Sequence, residues 1–132
     1  MTQLNYTNFR EQLQPFFGCC DSLLMQINVS YEDGSENPHV SLILECRLLP
    51  ESITHRWCRL HFSISNVNEM NINFPKNTSN RVISDGVAVF GTERDQYLVL
   101  CHSGVEVLEL EDIKYYQLYF RGDNIRFAVV NV

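Results

Sequence analysis

No stretch of this 132-residue chain stays apolar for the about 20 residues that a membrane-spanning helix needs, and no span is expected. The opening residues, Met1 to Tyr6, lack a basic segment followed by an apolar one, so no secretory leader is read there and the cytoplasm is the expected location. Glycine is sparse. Gly86, Gly91, Gly104 and Gly122 stand singly as turn glycines, which leaves no glycine-rich cradle for a phosphate. No C-x-x-C pair occurs. The five cysteines (Cys19, Cys20, Cys46, Cys58 and Cys101) are odd in number and two are adjacent, which disfavours a disulfide framework and favours reduced, mostly buried thiols. The sequons at Asn5, Asn28 and Asn77 are chance matches in an Asn-rich chain without an export signal. Positive charge is the scarcer sign, with 10 Lys and Arg against 16 Asp and Glu. The net charge of −6 is the reverse of a nucleic-acid footprint. It suits a partner with a basic surface, and it also simply keeps a protein in solution.

What is present is strict apolar/polar alternation. Leu23, Met25, Ile27, Val29 and Tyr31 point one way, and Gln26, Asn28 and Ser30 the other, which is the period of a strand with one buried and one wet face. Alternation recurs at Val40–Cys46, Cys58–Ile64 and Met70–Phe74, and further short strands are read at Val82–Ile83, Val87–Phe90, Tyr97–Cys101 and Val105–Leu110. Two further strands, Lys114–Phe120 and Ile125–Val130, are expected to flank a hairpin turn at Arg121-Gly122-Asp123-Asn124, as Asp33-Gly34 turns an earlier pair. Only the N-terminus reads as helical, over about residues 8–17. Thr7 or Asn8 is the expected N-cap and Glu11 its capping-box partner, while Phe9, Leu13, Phe16 and Phe17 share a face that Pro15 bends and Gly18 ends. One domain over residues 1–132 follows. It is mainly β, with one N-terminal helix and an antiparallel sandwich or strongly curled meander of about eight or nine strands between residues 23 and 131.

Reactive constellations are absent at the level of spacing. Cys58 and His61, or Cys101 and His102, fall an odd number of residues apart on a strand and point to opposite faces, so neither pair converges on a zinc ion. Cys19 or Cys20, just beyond the helix, is the candidate nucleophile, but a neighbouring carboxylate such as Asp21 raises a thiol pKa. Neither a catalytic residue, a metal ligand nor a cofactor is expected.

Binding features are clearer. Glu106, Glu109, Glu111 and Asp112 form a concentrated acidic stretch, with Glu109 and Glu111 on one strand face. Tyr115, Tyr116 and Tyr119 follow closely, and tyrosine favours interfaces because it buries area while keeping a polar tip. Glu93 and Asp95 on a preceding turn extend the negative field. The same residues also describe a solvated sheet edge that its charges protect from pairing.

The helix with Phe16-Phe17, the Asp21-Ser22 step into an alternating strand, the hairpin, and Trp57-x-Arg59-Leu60-x-Phe62 leading to Val67 resemble small immunity proteins of bacterial toxin systems. Cys20 stands where such proteins often carry a histidine before the aspartate. The resemblance implies a non-catalytic inhibitor that covers a cognate toxin domain. The acidic stretch would then be the negative side of the interface and the tyrosines its packed anchors. Two other readings stand beside it: a structural β subunit that forms a homodimer, and a small-molecule-binding or catalytic β-domain.

Overall fold

The computed structural model describes residues 1–48, 56–73, 81–92, 94–101, 113 and 118–131. The elements in chain order are β1 (Thr2–Gln3), α1 (Phe9–Leu13) continued by a 3-10 segment (Gln14–Cys19), β2 (Ser22–Ser30), β3 (His39–Leu48), β4 (Arg56–Ile72), β5 (Val82–Ile83), β6 (Gly86–Thr92), β7 (Asp95–Cys101) and β8 (Leu118–Asn131). The protein is mainly β, and its strands form one antiparallel sheet in the order β5-β2-β3-β4-β8-β7-β6, with β1 paired to β8.

β5 and β6 stand at opposite ends of that order, yet only Ser84 and Asp85 separate them in sequence. Three Cα steps of 3.8 Å reach at most about 11 Å, so the two ends of the sheet are brought together. The sheet is therefore the strongly curled form. It stays open in its pairing, because no ladder joins β5 to β6.

The alternation predicted for β3 and β4 is realised residue by residue. Val40, Leu42, Leu44 and Cys46 lie opposite Ile64, Phe62, Leu60 and Cys58, and all eight are buried. They join Leu98 and Leu100 of β7, Val87 and Val89 of β6, and Leu118, Phe120, Ile125 and Phe127 of β8 in a single core. The N-terminal segment covers one side of it with Leu4, Phe9, Leu13 and Phe16. Each fully buried side chain of this size contributes about 1.5–3 kcal/mol relative to exposure.

Three local expectations are corrected. Asn8 is the N-cap of α1, one of the two expected, but its side chain makes no cap bond to the helix and it exchanges bonds with Asn5 instead of Glu11. Asn5 Oδ1 accepts the Asn8 N–H at 2.9 Å, and Asn8 Oδ1 accepts the Asn5 N–H at 2.8 Å, so two asparagines satisfy the first turn reciprocally. β2 carries a bulge at Met25, and Val29 and Tyr31 are exposed, because alternation defines a face without guaranteeing that anything covers it.

The third correction concerns residues 121–124. They do not form a hairpin; they lie inside the continuous strand β8, which pairs with β4 on both sides of them. Asn66 in β4 and Asn124 in β8 adopt left-handed backbone (φ 53° each) at irregularities in that pairing, and these bulges bend both long strands. Gly122 is needed for space, since a Cβ there would meet the Ser65 carbonyl oxygen at 2.5 Å and Ile64 Cγ2 at 2.9 Å.

Candidate partner-binding face

Strand register brings four chemistry-bearing side chains together near the far end of β4. Glu69 of β4 lies opposite Arg121 of β8, which lies opposite Tyr97 of β7; Tyr119 is two residues along β8 on the same side. Asp95, at the start of β7, completes the group.

Arg121 donates to both carboxylate oxygens of Asp95, Nε to Oδ1 and Nη2 to Oδ2, each at 2.7 Å. This two-pronged geometry is the strong form of the guanidinium–carboxylate bond. Its Nη1 reaches Glu69 Oε1 at 3.3 Å, and the Tyr119 hydroxyl donates to Glu69 Oε2 at 2.8 Å. The guanidinium also lies 5.3 Å from the centre of the Tyr97 ring, and the two tyrosine rings are 6.2 Å apart. Every member is at least partly exposed.

The electrostatics follow from these bonds. The Arg121 guanidinium lowers the Asp95 carboxyl pKa, against the smaller opposing effect of burial. The Arg121 pKa rises chiefly through the same bond to Asp95. Partial burial raises both phenols, and Tyr119 is raised further by its bond to the Glu69 carboxylate. The cluster is thus an array of one guanidinium shared by two carboxylates, with one negative charge left over, and two protonated phenols.

Beside it, Tyr97 and Tyr119 pack against a second, smaller cluster of Phe90, Val99, Cys101 and Ile113 on the outer face of β6 and β7. Of the residues singled out from the sequence, Tyr119 belongs to this face. Glu106, Glu109, Glu111, Asp112, Tyr115 and Tyr116, together with Glu93, lie outside the described residues. Asp95 shares the Arg121 guanidinium with Glu69, so one of the two carboxylate charges is left uncompensated within the group. Glu69, Tyr97 and Arg121 were not legible beforehand, because their convergence depends on the β4–β8 register.

Among the described residues, the other polar groups do not assemble into a reactive constellation. The Cys19 thiol is pushed up by its contact with Cys46 and by burial. Burial pushes Cys58 up to about 11 and Cys101 up to about 12. Cys20, the more accessible of the adjacent pair, is raised by burial and then by Asp21 and Asp85. Ser63 Oγ and His39 Nε2 are 3.1 Å apart, the spacing of a nucleophile and its base. No carboxylate among the described residues orients that imidazole, so the pair reads as a satisfied hydrogen bond on the sheet face. Among the described residues no three His, Cys, Asp or Glu side chains converge on a metal position, and no helix is long and apolar enough to cross a membrane.

No family model, curated protein or solved structure matches the chain.

Proposed function

We propose that this protein is a non-catalytic binding protein of the immunity type, which inhibits a cognate toxin domain by covering it. The observation that carries the reading is the Tyr97–Tyr119–Arg121–Glu69–Asp95 array, held by bonds of 2.7–3.3 Å on an accessible sheet face. Tyrosine and arginine dominate binding hot spots because they bury large areas at little conformational cost, and here the side chains are ordered before any partner arrives. The acidic stretch adds to this. In sequence, Asp112 directly precedes Ile113, which is buried in the cluster beside Tyr119. A partner with a basic surface, as a nuclease toxin would have, is complementary to that stretch.

The test is binding to the toxin domain encoded beside this protein in its source genome, with toxicity and affinity both measured. Tyr119→Ala should weaken the complex by at least about tenfold, the scale of one lost hot spot. Glu109→Lys with Glu111→Lys should slow association and flatten its salt dependence. Tyr31→Ala, exposed on β2, should change neither. Failure of the wild-type chain to bind or to protect, or equal binding by all four proteins, overturns the reading.

A further inference from the structure

Two Asp-Gly steps occur in the chain, Asp33-Gly34 and Asp85-Gly86, and no Asn-Gly step. Such a pair is chemically special because glycine sets no side chain beside its own backbone nitrogen, which leaves that nitrogen open to the carboxyl group of the preceding aspartate. In sequence the two steps are equivalent. The fold separates them.

Asp33-Gly34 is the middle of the turn that joins β2 to β3. The Ser35 N–H donates to the Glu32 carbonyl at 3.0 Å, and Gly34 stands at φ 80°, the left-handed third position that glycine fills in such turns. Residues 31–36 are all exposed, and a Cβ on Gly34 would meet nothing within 4 Å. Beyond the turn the chain is tied to β4. Asn37 Nδ2 donates to Asn66 Oδ1 at 2.9 Å, and the Pro38 carbonyl accepts the Val67 N–H at 2.9 Å. Turning the Asp33-Gly34 peptide thus disturbs one exposed turn bond and no packed neighbour of Gly34.

Asp85-Gly86 is held on both sides. The Asp85 N–H donates to the Cys101 carbonyl at 2.8 Å, and the Asp85 carboxylate accepts from Ser84 Oγ at 3.4 Å. Gly86 is buried at the first position of β6, opposite Cys101. A Cβ there would run into the Gly18 carbonyl oxygen and stand 3.2 Å from Cys20 Sγ. This peptide turns only when the end of β6 opens.

We propose that Asp33 is a site of spontaneous isoaspartate formation in the native protein and that the fold protects Asp85 from the same reaction. The Gly34 backbone nitrogen bonds to the Asp33 side-chain carboxyl carbon, and the carboxyl hydroxyl leaves with the amide proton as water. Water then opens the resulting succinimide ring. Cleavage between the nitrogen and the side-chain carbon restores aspartate. Cleavage between the nitrogen and the Asp33 main-chain carbonyl carbon leaves the chain running through the side chain, one backbone carbon longer, with the former main-chain carbonyl now a free carboxylate. Water is the sole co-reactant, and the net change is an isomerisation.

The test is incubation of the full folded chain near neutral pH in water labelled with heavy oxygen. Proteolysis and fragment mass spectra then distinguish isoaspartate from aspartate. Each ring opening places one heavy oxygen in the residue, so both products are counted. Asp33 should react at least about tenfold faster than Asp85, the factor that about 1.4 kcal/mol of local opening imposes on the protected step. In denaturing urea the two rates should converge. Gly34→Ala, which sets a methyl group beside the attacking nitrogen, should slow Asp33 and leave Asp85 unchanged. Equal native rates at Asp33 and Asp85, or no label at Asp33 in the folded chain, overturns the proposal.

Discussion

Arg121 and Asp95 are joined by two parallel 2.7 Å hydrogen bonds that tie the first part of β8 to the start of β7. Because the bond lowers the Asp95 pKa in the folded protein, its contribution to stability is complete above the unfolded carboxyl pKa of about 3.9 and disappears as pH falls through the folded value. Carbon-detected titration of the Asp95 carboxyl should give a midpoint below the ordinary aspartate range. In Arg121→Gln the midpoint should return to about 3.9, and an unmoved midpoint would remove the bond from solution.

Gly122→Ala should destabilise the protein by about 1–3 kcal/mol in urea unfolding, the usual cost of forcing an extra methyl into packed structure. The obstacle is the backbone of β4, which cannot swing aside as a flexible side chain would. A wild-type midpoint in this variant would show that β4 and β8 do not approach so closely.

Asn124 lies at φ 53°, where a residue with a side chain costs roughly 1–2 kcal/mol relative to glycine. Asparagine bears this better than most residues because its amide bonds locally, and here Oδ1 accepts from Arg126 Nε at 3.0 Å. Asn124→Ala should therefore lower the unfolding midpoint while Asn124→Gly preserves it. Equal loss in both variants would assign the effect to the Arg126 bond instead of the backbone.

Thiol chemistry should be quiet in the native state. At pH 8, an alkylating reagent should modify Cys20 slowly and leave Cys19, Cys46, Cys58 and Cys101 protected until denaturant is added. Native thiols held at about 11 and about 12 retain protons that unfolded ones release near 8.5. Their stabilising effect is complete below about pH 8.5 and is lost as pH rises toward those native values. Urea midpoints measured from pH 8 to pH 10 should accordingly decline. Rapid native labelling of Cys58 or Cys101 would contradict their burial.

These outcomes also mark how far the sequence could be read. Alternation placed β3 and the first half of β4 with their inward residues, because a two-residue period is a local property that survives into the fold. Apolar runs located β6 and β7 without a face, and the strands read at 58–64 and 70–74 are one continuous β4. The segment at residues 121–124 misled because Gly-Asp-Asn chemistry serves two purposes. It makes hairpin turns, and it also makes a bulge beneath a crossing backbone, and only the presence of β4 distinguishes them. Met25 shows the same limit on a smaller scale, since a bulge shifts the register of β2 without disturbing its apolar/polar rhythm. The Arg121–Glu69 contact spans 52 residues and the Arg121–Asp95 contact 26, distances at which spacing carries no information about proximity. Tyr119 was reached from residue type alone; its partner Glu69 was not.

The pairing of β1 with β8 has a consequence for how the chain is made. Thr2 and Gln3 find their neighbours only once Phe127 and Arg126 have been synthesised, and most of β4 waits for the same strand. A nascent chain therefore carries β4 with β3 along one side and bare amide and carbonyl groups along the other, from the time it emerges until β8 follows. During that interval any extended segment from another molecule competes for the vacant row, so crowding of ribosomes on one message, or a pause shortly before residue 118, should favour tangled chains over finished ones.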